Sequence, residues 1–281
     1  MLLYTGTSSI NLKYSLTNVN KVTKFKSRGQ SVGNYLINRK LIGTSETTRN
    51  KITEKVKKIS IHVPQHIKPN DKELGNYLAG LIDSSDALFN NKLQLFIIFN
   101  LSDIRLVYNI KTRIGYGKIM RKKDEILLLI TKPKGIEKVI NLINNKFRSV
   151  NVFNQITNMI LINPQYYELN KNIKLQTNVS LDLNNFWLTG LAERTIQFNQ
   201  SSQLLNCQMY HKKNYFLSLI KNWFGGNIKF IPHKNIYCYN SINYSSARKI
   251  LKYFDHYPLM SDRYIEYLKF RKKYIEINQI Y

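Results

Sequence analysis

The stretch LAGLIDSSDALF (Leu78–Phe89) begins as a regular apolar helix and loses its rhythm halfway. Leu74, Leu78, Leu81 and Ile82 recur at helical spacing, so KELGNYLAGLIDSS reads as a helix that Asn70 or Asp71 can cap. About 110 residues later, WLTGLAERTIQF (Trp187–Phe198) has the same cadence. Working outward from these two stretches, the chain from residue 59 onward divides into two similar halves, 59–165 and 166–281.

In the first half, the helix is followed by a strand at KLQLFIIF and a helix through SDIRLVYNIKTRI. Gly115 and Gly117 turn the chain into a further strand, and EILLLIT forms another after a charged turn at RKKD. KPKGIEKVINLINNKF then reads as a helix with Ile136, Val139, Ile140 and Ile143 on one stripe. The second half repeats the order. A helix through NNFWLTGLAERT precedes a strand at QLLNCQMY and a helix through NYFLSLIKNWF that stops at Gly225 and Gly226. Strands NIKFI and NIYCY follow, then helices in SARKILKYFDHY and SDRYIEYLKFRKKY. A duplication at this spacing predicts an α+β fold of two matching half-domains.

The 281 residues carry a formal net charge of +26, with 43 Lys and Arg against 17 Asp and Glu. So large a surplus points to a polyanionic partner, nucleic acid foremost. Residues 1–58 read as a basic N-terminal extension without sustained periodicity. They hold twelve Lys and Arg against Glu46 and Glu54, a net +10, which leaves +16 for the rest of the chain. The apolar runs LQLFIIF and ILLLI are strand-sized, so no membrane partner is expected. Cys207 and Cys238 make neither a disulfide framework nor a zinc cluster; they read as two buried thiols, with a mutual pair as the alternative. His62 and His66 are four apart, but Pro64 between them opposes a helical metal pair. Abundant Lys, Asn, Ile and Tyr, whose codons are rich in A and T, fit a mitochondrial genome.

Leu78-Ala79-Gly80-Leu81-Ile82-Asp83, the looser Leu188-Thr189-Gly190-Leu191-Ala192-Glu193, and the ending YFDHYPLMSDRYIEYLKFRKKY together resemble the LAGLIDADG family of homing endonucleases and RNA maturases, in its two-motif single-chain form. The resemblance covers about residues 60 to 276. It implies that the two motif helices pair at a central seam, with Gly80 and Gly190 in close approach and Ala79 and Thr189 beside them. It also implies antiparallel, saddle-shaped sheets that lie over nucleic acid.

The resemblance further implies an acid at the eighth motif position of each helix, the pair holding divalent metal between scissile phosphates. Here those positions are Ser85 and Thr195, and neither hydroxyl supplies the charge a hard cation favours. Asp86-Ala87-Leu88-Phe89 fits the family pattern if one Ser is inserted after Asp83, which makes Asp86 the catalytic candidate of the first half; a solvated acid closing the helix is the bland alternative. Ile196 stands at the usual glycine, Arg194 adds positive charge, and Glu193 matches a position that closes the helix in the family. Loss of double-strand cleavage is therefore expected. No cofactor is expected, and magnesium enters only if endonuclease activity survives.

Binding is a separate matter. Lys92, Gln94 and Asn100 share one strand face opposite Leu93, Leu95, Ile97 and Phe99, although Phe96 and Ile98 make that face less polar. Asn206, Gln208 and Tyr210 share a face in the second half. Lys118, Arg121, Lys122, Lys123, Lys212, Lys213, Lys229 and Lys234 fall at turns and strand ends, suited to phosphates. For any one of these, a solvated charge is an equal reading. The leading expectation is a non-catalytic RNA-binding protein of the mitochondrial matrix. Its RNA is either a group I intron, as for a maturase, or ribosomal RNA, with ribosomal proteins as neighbours. The alternatives are an active endonuclease and a non-cleaving binder of duplex DNA.

Overall fold

A computed structural model describes residues 59–279 except 91, 93, 163–173, 201–204 and 242. The basic extension 1–58 and the expected boundary at 165/166 lie outside the described residues.

Helix α1 (Asp71–Ser85) starts with a reciprocal cap: the Asn70 side chain accepts from the Glu73 N–H while the Glu73 carboxylate accepts from the Asn70 N–H. It ends at Asp86, whose φ of 55° reverses the chain. Strand β1 (Leu95–Asn100) leads through a 3-10 turn, Leu101–Asp103, into α2 (Ile104–Ile114), which Gly115 ends at φ 80°. Strands β2 (Lys118–Arg121) and β3 (Glu125–Ile130) form a hairpin before α3 (Pro133–Ile143). Helix α4 (Val150–Ile162) closes the half.

The second half runs α5 (Trp187–Thr195), β4 (Ile196–Gln200), β5 (Leu205–His211) and α6 (Asn214–Phe224), the last ending at Gly225 and Gly226, both with positive φ. Strands β6 (Asn227–Ile231) and β7 (Ile236–Asn240) precede α7 (Tyr244–His256) and α8 (Arg263–Gln279).

The sheets are antiparallel, ordered β1-β3-β2 and β4-β5-β7-β6. The expected order is present with two additions, α4 and β4. The helix expected over 132–147 stops at Ile143, and α4 begins seven residues later. Strand β4 starts directly at Ile196, with no turn residue to announce it. Among the described residues its counterpart in the first half is one bridge, Phe89 with Leu95; the turn at Asp86 interrupts the backbone where Thr195 passes straight into Ile196.

Leu95, Ile97 and Phe99 of β1 are buried as their alternation predicts, and Cys207 and Met209 of β5 match them. Both cysteines are free thiols inside the protein. The motif helices α1 and α5 meet at the centre. A Cβ on Gly80 would lie 1.9 Å from the Trp187 carbonyl oxygen, and one on Gly190 would lie 2.0 Å from that of Tyr77. The two contacts are reciprocal, so the helices touch backbone to backbone about a pseudo-twofold axis. Ala79 is buried beside the glycines. Thr189 is buried too, but its hydroxyl turns to the Tyr257 carbonyl (2.7 Å) and ties α5 to its own half.

Candidate nucleic-acid interface

The sixth motif residues hold the seam. Asp83 is 0% exposed and Glu193 1% exposed. The Trp187 Nε1–H of α5 donates to Asp83 Oδ2 (2.7 Å), and the Tyr77 hydroxyl of α1 donates to Glu193 Oε1 (3.0 Å). Each acid also accepts backbone N–H groups just before the final helix of its own half. Asp83 takes those of Arg148 (2.8 Å) and Ser149 (3.1 Å), and Glu193 takes that of Met260 (2.7 Å). Burial raises both carboxyls to about 7, against the lowering effect of these donors. The acids act as structural acceptors; Glu193 bonds the other motif helix and Met260 and does not close its own helix end.

The seam has a second brace. Asn100 at the end of β1 donates its amide to the Glu193 carbonyl (3.1 Å), and His211 at the end of β5 reaches the Asp83 carbonyl (3.0 Å). The Lys213 N–H donates to His211 Nδ1 (2.9 Å), which leaves the proton on Nε2 to donate to Asp83. Burial lowers the His211 pKa, consistent with that neutral form. Trp187, Tyr77, His211 and Arg148, whose guanidinium lies 4.6 Å over the Trp187 ring, are seam residues that the sequence reading missed. The matching place of Tyr77 and Trp187, three residues before each glycine, is the signal that could have found the first two.

The eighth positions lie beside a cleft of about 280 Å³ at the feet of the two helices. The Ser85 hydroxyl donates to the Ile82 carbonyl (3.0 Å) and also bonds the Ala87 carbonyl (3.1 Å); the Thr195 hydroxyl donates to that of Leu191 (2.8 Å). Both serve their own helix end. Asp86 is occupied as well. One carboxylate oxygen accepts from the Ser149 hydroxyl, and the other accepts from the Asn151 amide (2.8 Å) with the Lys213 ammonium 3.8 Å away. Arg194 lines the cleft and pairs with Glu125 of β3 (2.9 Å), while Lys212 adds a further positive charge. A divalent metal held by paired acids does not fit these donors: two hydroxyls are spent on backbone, the one carboxylate is held by Ser149, Asn151 and Lys213, and cations face the space. Among the described residues, no group of three or more His, Cys, Asp or Glu is placed to hold a metal ion. His66 instead binds the Leu259 carbonyl through Nε2 (2.8 Å).

The proposed binding residues do not form one surface. Alternation along β5 and its pairing with β7 place Asn206 and Gln208 on the open face of the second sheet, with Lys229 of β6 beside them. They line a separate cleft of about 420 Å³. Lys118 lies on the open face of the first sheet, whereas Arg121 falls on the opposite register at the end of β2. Lys122 and Lys123 occupy the β2–β3 turn, and Lys234 lies in the β6–β7 connection. Lys212 and Lys213 link β5 to α6, the latter turned to Asp86. Lys92 is exposed, while Gln94 is bound to Asn90 (2.9 Å) and Asn100 to the seam. Leu93 is outside the described residues.

The family profile described as LAGLIDADG endonuclease matches residues 188–274. The chain is 45% identical over 300 residues to the uncharacterized cox1 intron-2 37.2 kDa protein of Schizosaccharomyces pombe, covering 99% of this chain and 91% of that protein. This chain belongs to the LAGLIDADG family. It is also 23% identical over 273 residues to the intron-encoded DNA endonuclease aI3 of Saccharomyces cerevisiae, covering 76% of this chain and 66% of that one. Among solved structures, the LAGLIDADG meganuclease I-AabMI bound to uncleaved DNA superposes with a TM-score of 0.54 at 18% identity, covering 73% and 91% of the two chains. Meganuclease I-SmaMI bound to an uncleavable DNA gives 0.57 at 15% identity, covering 74% and 92%. At these identities the structures establish the LAGLIDADG fold alone. No helix among the described residues is long and apolar enough to cross a membrane.

Proposed function

We propose that this LAGLIDADG protein has lost double-strand cleavage and binds structured RNA, as a maturase of a group I intron in the mitochondrial matrix. The observation that carries the reading is the state of the old cleavage centre. Ser85 and Thr195 stand where acids are needed, and the carboxylate of Asp86 is already taken by Ser149 and Asn151. A duplex cleaver must attend two strands, and one acid already hydrogen-bonded in one half is not enough. The charge of +26 supports retained binding, since attraction to phosphates needs no catalytic acid. The cox1 intron-2 relative favours intron RNA over ribosomal RNA as the partner.

A second reading, an active endonuclease working through Asp86, draws on the aI3 relative. Two measurements separate them. Sequencing of RNA crosslinked to the protein in its organelle should return one intron. Mostly ribosomal RNA would replace the maturase role with a ribosomal one, and a single DNA locus would favour the endonuclease. Incubation of an intronless target with magnesium should leave the duplex intact; cleavage abolished by Asp86→Asn would overturn the proposal.

A further inference from the structure

The two sheets occupy equivalent places in the duplicated fold, and their open faces differ in chemistry. Asn100 lies four residues before α2 and Tyr210 four before α6, which sets Phe96 and Ile98 of β1 equivalent to Asn206 and Gln208 of β5. Cross-strand register extends the match. Ile98 pairs with Leu127, and Leu127 with Met120. Gln208 pairs with Asn240, and Asn240 with Asn227. Four amide positions in the second half, Asn206, Gln208, Asn240 and Asn227, are therefore Phe96, Ile98, Leu127 and Met120 in the first.

The amide cluster is part ordered and part open. The Gln208 amide donates to Asn240 Oδ1 (2.7 Å), and the Tyr210 hydroxyl donates to Gln208 Oε1 (2.7 Å). These bonds fix the centre of the cluster. On either side of it, Asn206 Oδ1 and Asn227 Oδ1 are buried and unpartnered. A buried acceptor without a donor is unfavourable and calls for one from outside. Asn and Gln match base edges that pair a donor with an acceptor. Exocyclic amino groups of adenine, cytosine or guanine supply donors of this kind, whereas uracil lacks one and offers only its ring N3–H. In RNA, such edges are reachable on unpaired bases, because the A-form major groove is too narrow for side chains.

We propose that base discrimination is confined to the second-half sheet, where the cleft of Asn206, Gln208, Asn227 and Asn240 takes unpaired RNA bases bearing an exocyclic amino group, and that the first-half sheet takes no part in it. This rests on the RNA-binding reading above. Lys229, which lines the same cleft, supplies charge to the adjoining phosphate and carries no sequence information.

The test measures affinity of the full chain for short RNA homopolymers of A, C and U at matched salt. Wild type should bind A or C roughly tenfold or more tightly than U, the scale of one good base contact. Asn206→Ala with Asn227→Ala should flatten that ratio while the affinity for U is kept, which also reports that the variant is folded. Asn227→Asp keeps the acceptor oxygen and should keep the preference. Lys229→Ala should weaken all three alike, and Phe96→Ala should leave the ratio unchanged. A wild type without preference, an Asn206→Ala, Asn227→Ala variant that keeps it, or a Phe96 variant that loses it would overturn the proposal while leaving RNA binding intact. Failure to bind any RNA, or tighter binding to duplex DNA at the same salt, would overturn the RNA reading itself.

Discussion

Tyr77 on the first motif helix and Glu193 on the second are joined by a buried hydrogen bond of 3.0 Å, and Trp187 and Asp83 repeat the arrangement in reverse at 2.7 Å. Each helix thus supplies the aromatic donor for the other's carboxylate. Tyr77→Phe and Trp187→Phe should each destabilise the protein by about 1–3 kcal/mol, the cost of a buried acceptor deprived of its donor. Denaturant unfolding checks this, and losses within ~0.5 kcal/mol would mean that the crossed bonds do not hold the seam.

The glycine contacts are less forgiving. Carbonyl oxygens at 1.9 and 2.0 Å from the added methyl belong to backbone and cannot rotate away. Gly80→Ala or Gly190→Ala must force the helices apart, and each should cost about 3 kcal/mol or more. A melting temperature within a degree or so of wild type for either variant would show a looser seam.

The buried acids also set a pH dependence. Their carboxyls titrate near about 7 in the folded protein, against about 4 when unfolded. Between those values the folded state holds more protons, so this contribution to stability is full below about pH 4 and is lost as pH rises through 7. Glu193→Gln should flatten the fall in unfolding midpoint between about pH 5 and about pH 8. An unchanged slope would remove Glu193 from the account.

Asp86 closes α1 with its backbone and receives Ser149 and Asn151 with its carboxylate. Asp86→Ala should therefore lower stability by about 1–2 kcal/mol and leave the affinity for RNA unchanged. A large loss of affinity with stability intact would assign Asp86 to the binding surface.

Binding should weaken with salt in proportion to the phosphates neutralised. Lys212→Ala and Lys229→Ala should each make the slope of log affinity against log salt shallower by about 0.7. A slope that neither variant alters would remove these lysines from the phosphate contacts.

Much of the architecture was legible in the chain. The helical stripe of Leu74, Leu78, Leu81 and Ile82, the stops at Gly115 and Gly225, and the repeated order of elements are local signals, and the structure follows them. Strand β4 was not legible because Thr195 runs into Ile196 without a breaking residue. Helix α4 was missed although Val152, Ile156 and Met159 fall at helical spacing and are buried, because its β-branched residues and asparagines are weak helix formers. The site was harder. The hydroxyls at Ser85 and Thr195 could be read from position, but the engagement of Asp86 depends on Ser149 and Asn151, more than sixty residues away. The contrast between the sheet faces needs cross-strand register, which no single strand contains.

The crossed aromatic–acid pairs bear on how such a duplicated chain can be reshuffled. A half cut out at the seam carries Asp83 without Trp187, or Glu193 without Tyr77. The smallest exchangeable part is therefore a pair of residues drawn from both halves, and a chimera that swaps one motif helix must bring the matching aromatic or acid with it. The two halves repeat one plan, but at the seam they can change only as partners.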